Sequence, residues 1–247
     1  MIRLILVGLF LILFLILSLP IILVETLIAK KNPARADRSS KAIVGWGFRC
    51  IKFLAGTKLI VTGQENIPTD TAVLYVGNHR SFFDVVLTLS LFPGITGYVA
   101  KIEMLKVPIL RLWMKKIHCL FLDRDNIKEG LKTILQGVET VKGGTSLCIF
   151  PEGTRNKTND TFLPFHDGSF KIADKGKVPV VPMTIINSAA IFEDHFPWVR
   201  RATVQIDFGE PIYLDQLDKD TKKAPGLYVS NIISKRYFEL KKDAPAK

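Results

Sequence analysis

The sequence predicts an α/β protein, a mostly parallel or mixed sheet covered by helices, preceded by an N-terminal membrane helix or helical hairpin. Three observations carry this. From residue 58 onward, short apolar runs alternate with helical patterns, the order that builds a parallel sheet with helices on both faces. Residues Leu4 to Val24 carry no charge and are almost all Leu, Ile, Val or Phe. Between these two regions lies a basic amphipathic stretch. A chain of 247 residues accommodates one such domain and an appendage. The expected division is 1–56 for membrane-anchoring helices and 57–247 for the α/β domain.

In chain order, the twenty-one residues from Leu4 to Val24 match the ~20 needed to cross ~30 Å of hydrocarbon. They exceed a signal-peptide core, and LIAKKNPARA offers no small-residue cleavage site straight after them. One cation, Arg3, precedes the run, whereas Lys30, Lys31, Arg35, Arg38 and Lys41 follow it. If the segment spans, that bias places the remaining chain on the cytoplasmic side of the cell membrane. Pro20 offers the alternative of a hairpin dipping into one leaflet. Over residues 39–55, a helical wheel sets Ile43, Trp46, Gly47, Cys50, Phe53 and Leu54 on one side. Lys41, Arg49 and Lys52 fall on the other, so this helix suits either a membrane surface or ordinary packing on the domain.

Strands are expected near 58–62, 72–77, 97–100, 119–122, 146–150, 179–186 and 203–208. Helices are expected near 82–91, 107–116, 127–142, 168–175 and 226–240, and the terminal KKDAPAK reads as a frayed tail. Net charge of +11 and a pI near 9.6 point to an anionic partner. No zinc-finger, RNA-binding or dinucleotide-loop signature is present, so lipid or phosphate is expected rather than nucleic acid. Cys50, Cys119 and Cys148 form no C-x-x-C pair and read as reduced packing residues. No His/Cys/Asp cluster has metal-ligand spacing, so no metal site is expected.

Candidate chemistry follows successive strands: His79 after AVLYV, Lys101 after GYVA, Arg124 after CLFL and Glu152 after SLCIF. Ligands of open α/β sheets bind beyond the carboxyl ends of the strands, so parallel strands would bring these four groups to one edge. In NHRSFFD, His79 and Asp84 form a His-x4-Asp spacing. On one helix they would point about 140° apart. They meet only if His79 precedes the helix and Asp84 lies in its first turn. Ser81 three residues before Asp84 is a helix-start signature. Two roles therefore compete for Asp84: closing a capping box with Ser81, or holding His79 Nδ1 so that Nε2 can accept a proton. No nucleophile elbow accompanies the histidine, which favours activation of a substrate hydroxyl.

In FPEGTR, Pro151 ends a strand and Gly153 permits an unusual turn. Glu152 and Arg155 project from it, and the arginine suits bidentate phosphate binding. In LFLDRDN, Asp125 or Asn126 caps the next helix and Arg124 is the phosphate candidate. Lys101 suits a phosphate or an oxyanion. VPVVPM reads as scaffold, and His118 and His166 receive no catalytic role.

Taken together and in order, NHRSFFD, LFLDRD, FPEGTR and VPVVP resemble the four blocks of the bacterial 1-acyl-sn-glycerol-3-phosphate acyltransferases (PlsC type), over roughly residues 58–210. Arg80 stands where many members carry another polar residue. The resemblance implies that His79 deprotonates the sn-2 hydroxyl of lysophosphatidate while Asp84 orients it. The alkoxide then attacks an acyl-CoA or acyl-carrier-protein thioester, with no further cofactor and no acyl-enzyme, to give phosphatidate. It further implies a substrate-binding set of Asn78, Ser81, Lys101, Arg124, Glu152, Gly153, Thr154 and Arg155, and a membrane phospholipid surface as partner. The rival readings are another acceptor such as glycerol-3-phosphate or a different lysolipid, a membrane-bound lipid hydrolase, and a non-catalytic lipid-binding module.

Overall fold

The computed structural model of the protein describes residues 1–158 and 161–243. The uncharged N-terminal run is not one continuous span. It forms α1 (Ile2–Leu17) and α2 (Leu19–Lys31), bent by 48° at Ser18. Pro20 starts the second helix, where its missing N–H costs nothing, and buried Ser18 accepts a hydrogen bond of 2.8 Å from Trp113 Nε1. No single helix among the described residues is long and apolar enough to cross a membrane; the bent pair passes by length and composition together.

The third helix, α3 (Pro33–Ala55), starts six residues before the expected amphipathic stretch, because the Asn32 side chain accepts from Arg35 N and caps it. It packs against α1 and α2 on one side and the α/β layers on another. This overturns the expected division of its faces. Lys41 turns inward, where its ammonium donates to Phe92 O at 2.6 Å and Gly94 O at 2.7 Å. Trp46, Arg49 and Phe53 share the exposed strip.

The remaining elements are β1 (Lys58–Thr62), β2 (Leu74–Gly77), α4 (Phe83–Thr88), β3 (Thr96–Lys101), α5 (Pro108–Lys116), β4 (Leu120–Leu122), α6 (Ile127–Lys142), β5 (Ser146–Ile149), α7 (Lys171–Gly176), β6 (Val180–Ile186), β7 (Thr203–Phe208), α8 (Lys219–Lys223) and α9 (Pro225–Asp243). All seven expected strands form within two residues of their expected bounds. The polar five-residue α8 was not foreseen; Asp218 caps it, accepting from Asp220 N and Thr221 N. Lys241–Asp243, read as tail, complete α9, and residues 244–247 lie outside the described residues.

The seven strands form one mixed sheet in the order β1-β7-β6-β2-β5-β3-β4. Every pairing is parallel except β6 with β7. Successive residues of β2 serve opposite faces, as strand geometry requires. Tyr75 packs with Val44, Ile51, Phe83 and Trp113 on the α3–α5 side, while Leu74 and Val76 pack with Ile134, Ile172 and Ile233 on the α6, α7 and α9 side. Helices on both faces explain why β2 reads as an unbroken apolar run.

Candidate active site

Strands β2, β5, β3 and β4 are neighbours in that order and all run parallel. Their carboxyl ends therefore place His79, Glu152, Lys101 and Arg124 along one edge of the sheet. At ~4.8 Å per strand, the row spans ~14 Å.

At its β2 end, His79 Nδ1 lies 2.7 Å from Asp84 Oδ2. The same Oδ2 accepts the Arg80 N–H and the Ser81 N–H, each at 2.8 Å. Ser81 Oγ in turn accepts the Phe83 N–H at 3.0 Å, completing the reciprocal pattern of a helix start. The two roles foreseen for Asp84 thus fall on a single oxygen. Oδ1 has no hydrogen-bond partner among the described residues, and the side chain is wholly buried, whereas that of His79 is 20% exposed. With Nδ1 committed, Nε2 is the nitrogen available to a substrate hydroxyl.

His79 is held at four points. Its N–H donates to Glu152 Oε1 at 2.8 Å, and its carbonyl accepts the Asn156 N–H at 2.7 Å. Its ring stacks on Phe150 with centroids 4.3 Å apart and planes 16° from parallel. Asp84 supplies the fourth restraint. Burial raises the Glu152 carboxyl above its ordinary range, while hydrogen bonds from the His79 and Leu163 amides oppose that rise. Burial, and then the negative charge of Asp84, push the Cys148 thiol well up, which keeps it protonated and inert.

Other sequence-derived candidates fall into two groups. Asn78 exchanges two 2.8 Å hydrogen bonds with the backbone of Ile185. Buried Ser81 donates to Glu193 Oε2 at 2.6 Å. Glu152 is turned onto backbone amides. These three, expected among the substrate contacts, use their side chains here to brace the His79 loop. The cations lie outside it. Arg155 Nη1 donates to Glu193 Oε1 at 3.1 Å, and its guanidinium stacks 3.6 Å above the Phe82 ring. Gly153 adopts φ 73°, the left-handed region its lack of Cβ allows. A Cβ there would lie 3.5 Å from Arg124 Nη1 and 3.4 Å from His166 Nε2, so both side chains reach this turn. Exposed Lys101 pairs with half-buried Glu103. Thr154 is exposed on the same turn.

The sequence reading missed Glu193. Its carboxylate accepts from Ser81 Oγ, from Phe82 N at 2.8 Å and from Arg155, joining the histidine loop to the outer cation. It lies over a hundred positions away in sequence, within no motif. His166 was also passed over for want of a carboxylate spacing. Phe150 and Asn156 were legible in principle, since the first opens FPEGTR and the second directly follows it. Outside the site, His118 Nε2 meets Asp37 Oδ1 at 2.8 Å, linking the turn after α5 to α3.

A carboxylate-held histidine thus stands beside arginines at the carboxyl edge of an α/β sheet. Residues 58–186 match the family model described as Acyltransferase, and the chain belongs to that family. It is 31% identical over 175 residues to the 1-acyl-sn-glycerol-3-phosphate acyltransferase of Saccharomyces cerevisiae, covering 70% of this chain and 57% of the yeast protein. The Borreliella burgdorferi protein of the same name is 34% identical over 146 residues, with 58% of each chain covered. That of Helicobacter pylori is 28% identical over 203 residues, 78% of this chain and 81% of its own. The chain thus spans less than two thirds of the yeast and Borreliella proteins. The crystal structure of the 1-acyl-sn-glycerophosphate acyltransferase PlsC from Thermotoga maritima superposes with a TM-score of 0.81 at 20% identity. It covers 97% of this chain and 96% of that one, so the fold is shared from end to end.

Proposed function

We propose that this protein moves a fatty acyl group from an acyl thioester to the sn-2 hydroxyl of 1-acyl-glycerol-3-phosphate, giving phosphatidate. The observation that carries the reading is the buried Asp84 on His79 Nδ1, which leaves Nε2 for the acceptor hydroxyl. Nε2 removes the hydroxyl proton as its oxygen attacks the thioester carbonyl. The tetrahedral intermediate collapses, the carbon–sulfur bond breaks, and the imidazolium returns the proton to the thiolate. The thioester is the acyl-CoA or acyl-carrier-protein co-substrate, and no resident cofactor or metal enters any step. Arg155 and Arg124 take the acceptor's phosphate, the first by exchanging its Glu193 contact for phosphate oxygens. Lys101, between Glu152 and Arg124 in the row, serves the same anionic ligand.

The membrane is the second half of the reading. Ile5, Leu9, Ile12, Ile16, Leu23 and Leu27 of α1 and α2 are exposed in a band that water disfavours. We read the bent pair as lying in one leaflet with cations at both ends, Arg3 at one and Lys30 and Lys31 at the other. The basic surface suits the anionic cytoplasmic leaflet of the cell membrane, with the α/β domain on that side. Acceptor and product chains then stay in lipid and avoid ~0.8 kcal/mol per methylene of extraction.

The test supplies purified protein with lysophosphatidate, glycerol-3-phosphate or lysophosphatidylcholine, each with acyl-CoA and acyl-carrier protein, and identifies products by mass. Phosphatidate from lysophosphatidate as the dominant product is expected. Preferred acylation of either other acceptor, or fatty acid release alone, overturns the assignment.

A further inference from the structure

The segment Phe196–Arg201, FPWVRR, belongs to none of the blocks that carry the chemistry. It nevertheless connects the site to the end of the anchor. At its start, Phe192 packs edge-to-face on Phe196 with centroids 5.5 Å apart, beside Glu193, which holds Ser81 and Arg155. Along it, Val199 is buried in the same core as Ile51 and Ala55 of α3, while residues on both sides of Val199 face outward. At its end, the Arg201 and Arg3 side chains both pass over the turn that closes α3. A Cβ on Gly56 would lie 2.5 Å from Arg3 Nη1 and 2.9 Å from Arg201 Cγ. Arg3 Nη1 also donates to Leu54 O at 3.0 Å.

What this segment exposes is unusual for a water-facing loop. Phe196 is 75% exposed and Trp198 40%, and the nearby strip of α3 adds Phe53 at 80%. Arg200 and Arg201 are exposed among them, as is Arg49 on α3. Aromatic rings interleaved with arginines match the headgroup level of a bilayer, where the rings bury their apolar bodies and the cations meet phosphates. Through Arg3 the patch is continuous with the apolar outer face of α1, whose first residues Met1 and Ile2 are also exposed.

We propose that Phe196, Trp198, Arg200 and Arg201, with Arg3, form a second bilayer contact that recognises anionic lipid headgroups and fixes the depth at which the acceptor pocket sits. The proposal rests on the membrane-bound acyltransferase reading. The patch is joined to Glu193 by only a few residues, so its seating at the headgroup level holds Arg155 near the depth of the acceptor's phosphate.

The test uses the full chain bound to phosphatidylcholine vesicles with and without one-third phosphatidylglycerol. Trp198 emission is obtained as the difference between wild type and Trp198→Phe. Quenching by lipids brominated near the headgroup, with protection from aqueous iodide, is expected. The Arg200→Gln/Arg201→Gln variant should partition onto the anionic vesicles about fivefold less per arginine removed, the factor equivalent to ~1 kcal/mol each. Partition onto pure phosphatidylcholine, and the rate in detergent micelles, should be unchanged. Iodide-accessible Trp198 on bound protein, or equal partition of variant and wild type, overturns the proposal. So does a dependence on these arginines that appears only toward an acidic carrier protein. Because quenching and partition need no turnover, failure of the acyltransferase reading would show separately, as no phosphatidate from the wild type in micelles.

Discussion

Replacing Asp84 with Asn separates the two tasks that Asp84 Oδ2 performs. That oxygen accepts three hydrogen bonds, from His79 Nδ1 at 2.7 Å and from the Arg80 and Ser81 amides at 2.8 Å. An amide oxygen has two lone pairs and no charge, so at most two of the three survive well. Hydrogen bonds to a charged acceptor contribute ~1.5–3 kcal/mol and to a neutral one ~0.5–1.5, so the two backbone bonds lose ~2–3 kcal/mol together. Relief from burying a carboxylate whose Oδ1 has no partner among the described residues offsets part of this. A net loss of ~1–2 kcal/mol remains, which lowers Tm by about 2–8 °C in a chain of this size. The catalytic loss is larger. Without a negative acceptor, Nδ1–H is no longer fixed, and the general-base contribution of ~10²–10⁴ is forfeited, ~2.7–5.5 kcal/mol at 1.36 per decade. Thermal unfolding and initial rates of phosphatidate formation under saturating substrates measure both effects. A folded Asp84→Asn protein with kcat within about threefold of wild type would show that Asp84 only caps α4 and would refute the base assignment.

Arg155→Ala should raise the acceptor KM by about ten- to a hundredfold with a smaller change in kcat, since a ground-state phosphate contact is lost; titration of the acceptor at fixed thioester checks this, and an unchanged KM removes Arg155 from the pocket. Glu193→Ala leaves Ser81 Oγ and Phe82 N without their acceptor and should cost both ~1–3 kcal/mol of stability and at least tenfold in kcat/KM, seen by comparing melting curves and rates. Asp207 gives a pH signature. Burial raises its carboxyl, but hydrogen bonds from Arg236 and Thr62 together outweigh this and bring it below its ordinary 3.8. A depressed folded-state value means stability that is present above pH ~4 and lost as pH falls through the folded value. Asp207→Asn should therefore destabilise by ~1–3 kcal/mol at pH 7, and the gap should close in denaturation series taken below pH 4.

Much of this was legible in the sequence because a parallel strand buried on both faces leaves an apolar run whose end is easy to see. Once AVLYV, GYVA, CLFL and SLCIF were read as such runs, the convergence of His79, Lys101, Arg124 and Glu152 followed from topology alone. Local hydrogen bonding was less accessible. Asn78, Ser81 and Glu152 have the chemistry of ligand contacts, yet their partners are the Ile185 backbone, Glu193 and two backbone amides, and nothing in spacing reveals which polar groups a fold consumes internally. Glu193 was invisible for the same reason, because long-range pairing leaves no periodic trace. Hydropathy alone showed an apolar run; Pro20 marked where it could bend, and the 48° bend falls two residues earlier at Ser18, which accepts a hydrogen bond from distant Trp113. The faces of α3 were misassigned because a helical wheel cannot tell a helix packed on two sides from one with a single wet face.

The most direct test of the central claim follows a labelled acyl thioester in the presence of lysophosphatidate, comparing wild type with His79→Ala. Wild type should convert the label to phosphatidate with little free fatty acid. A folded His79→Ala protein should lose at least a hundredfold in rate while its KM for lysophosphatidate stays within about threefold, because the arginines that hold the phosphate are untouched. Phosphatidate formed by His79→Ala at near wild-type rate would contradict the account.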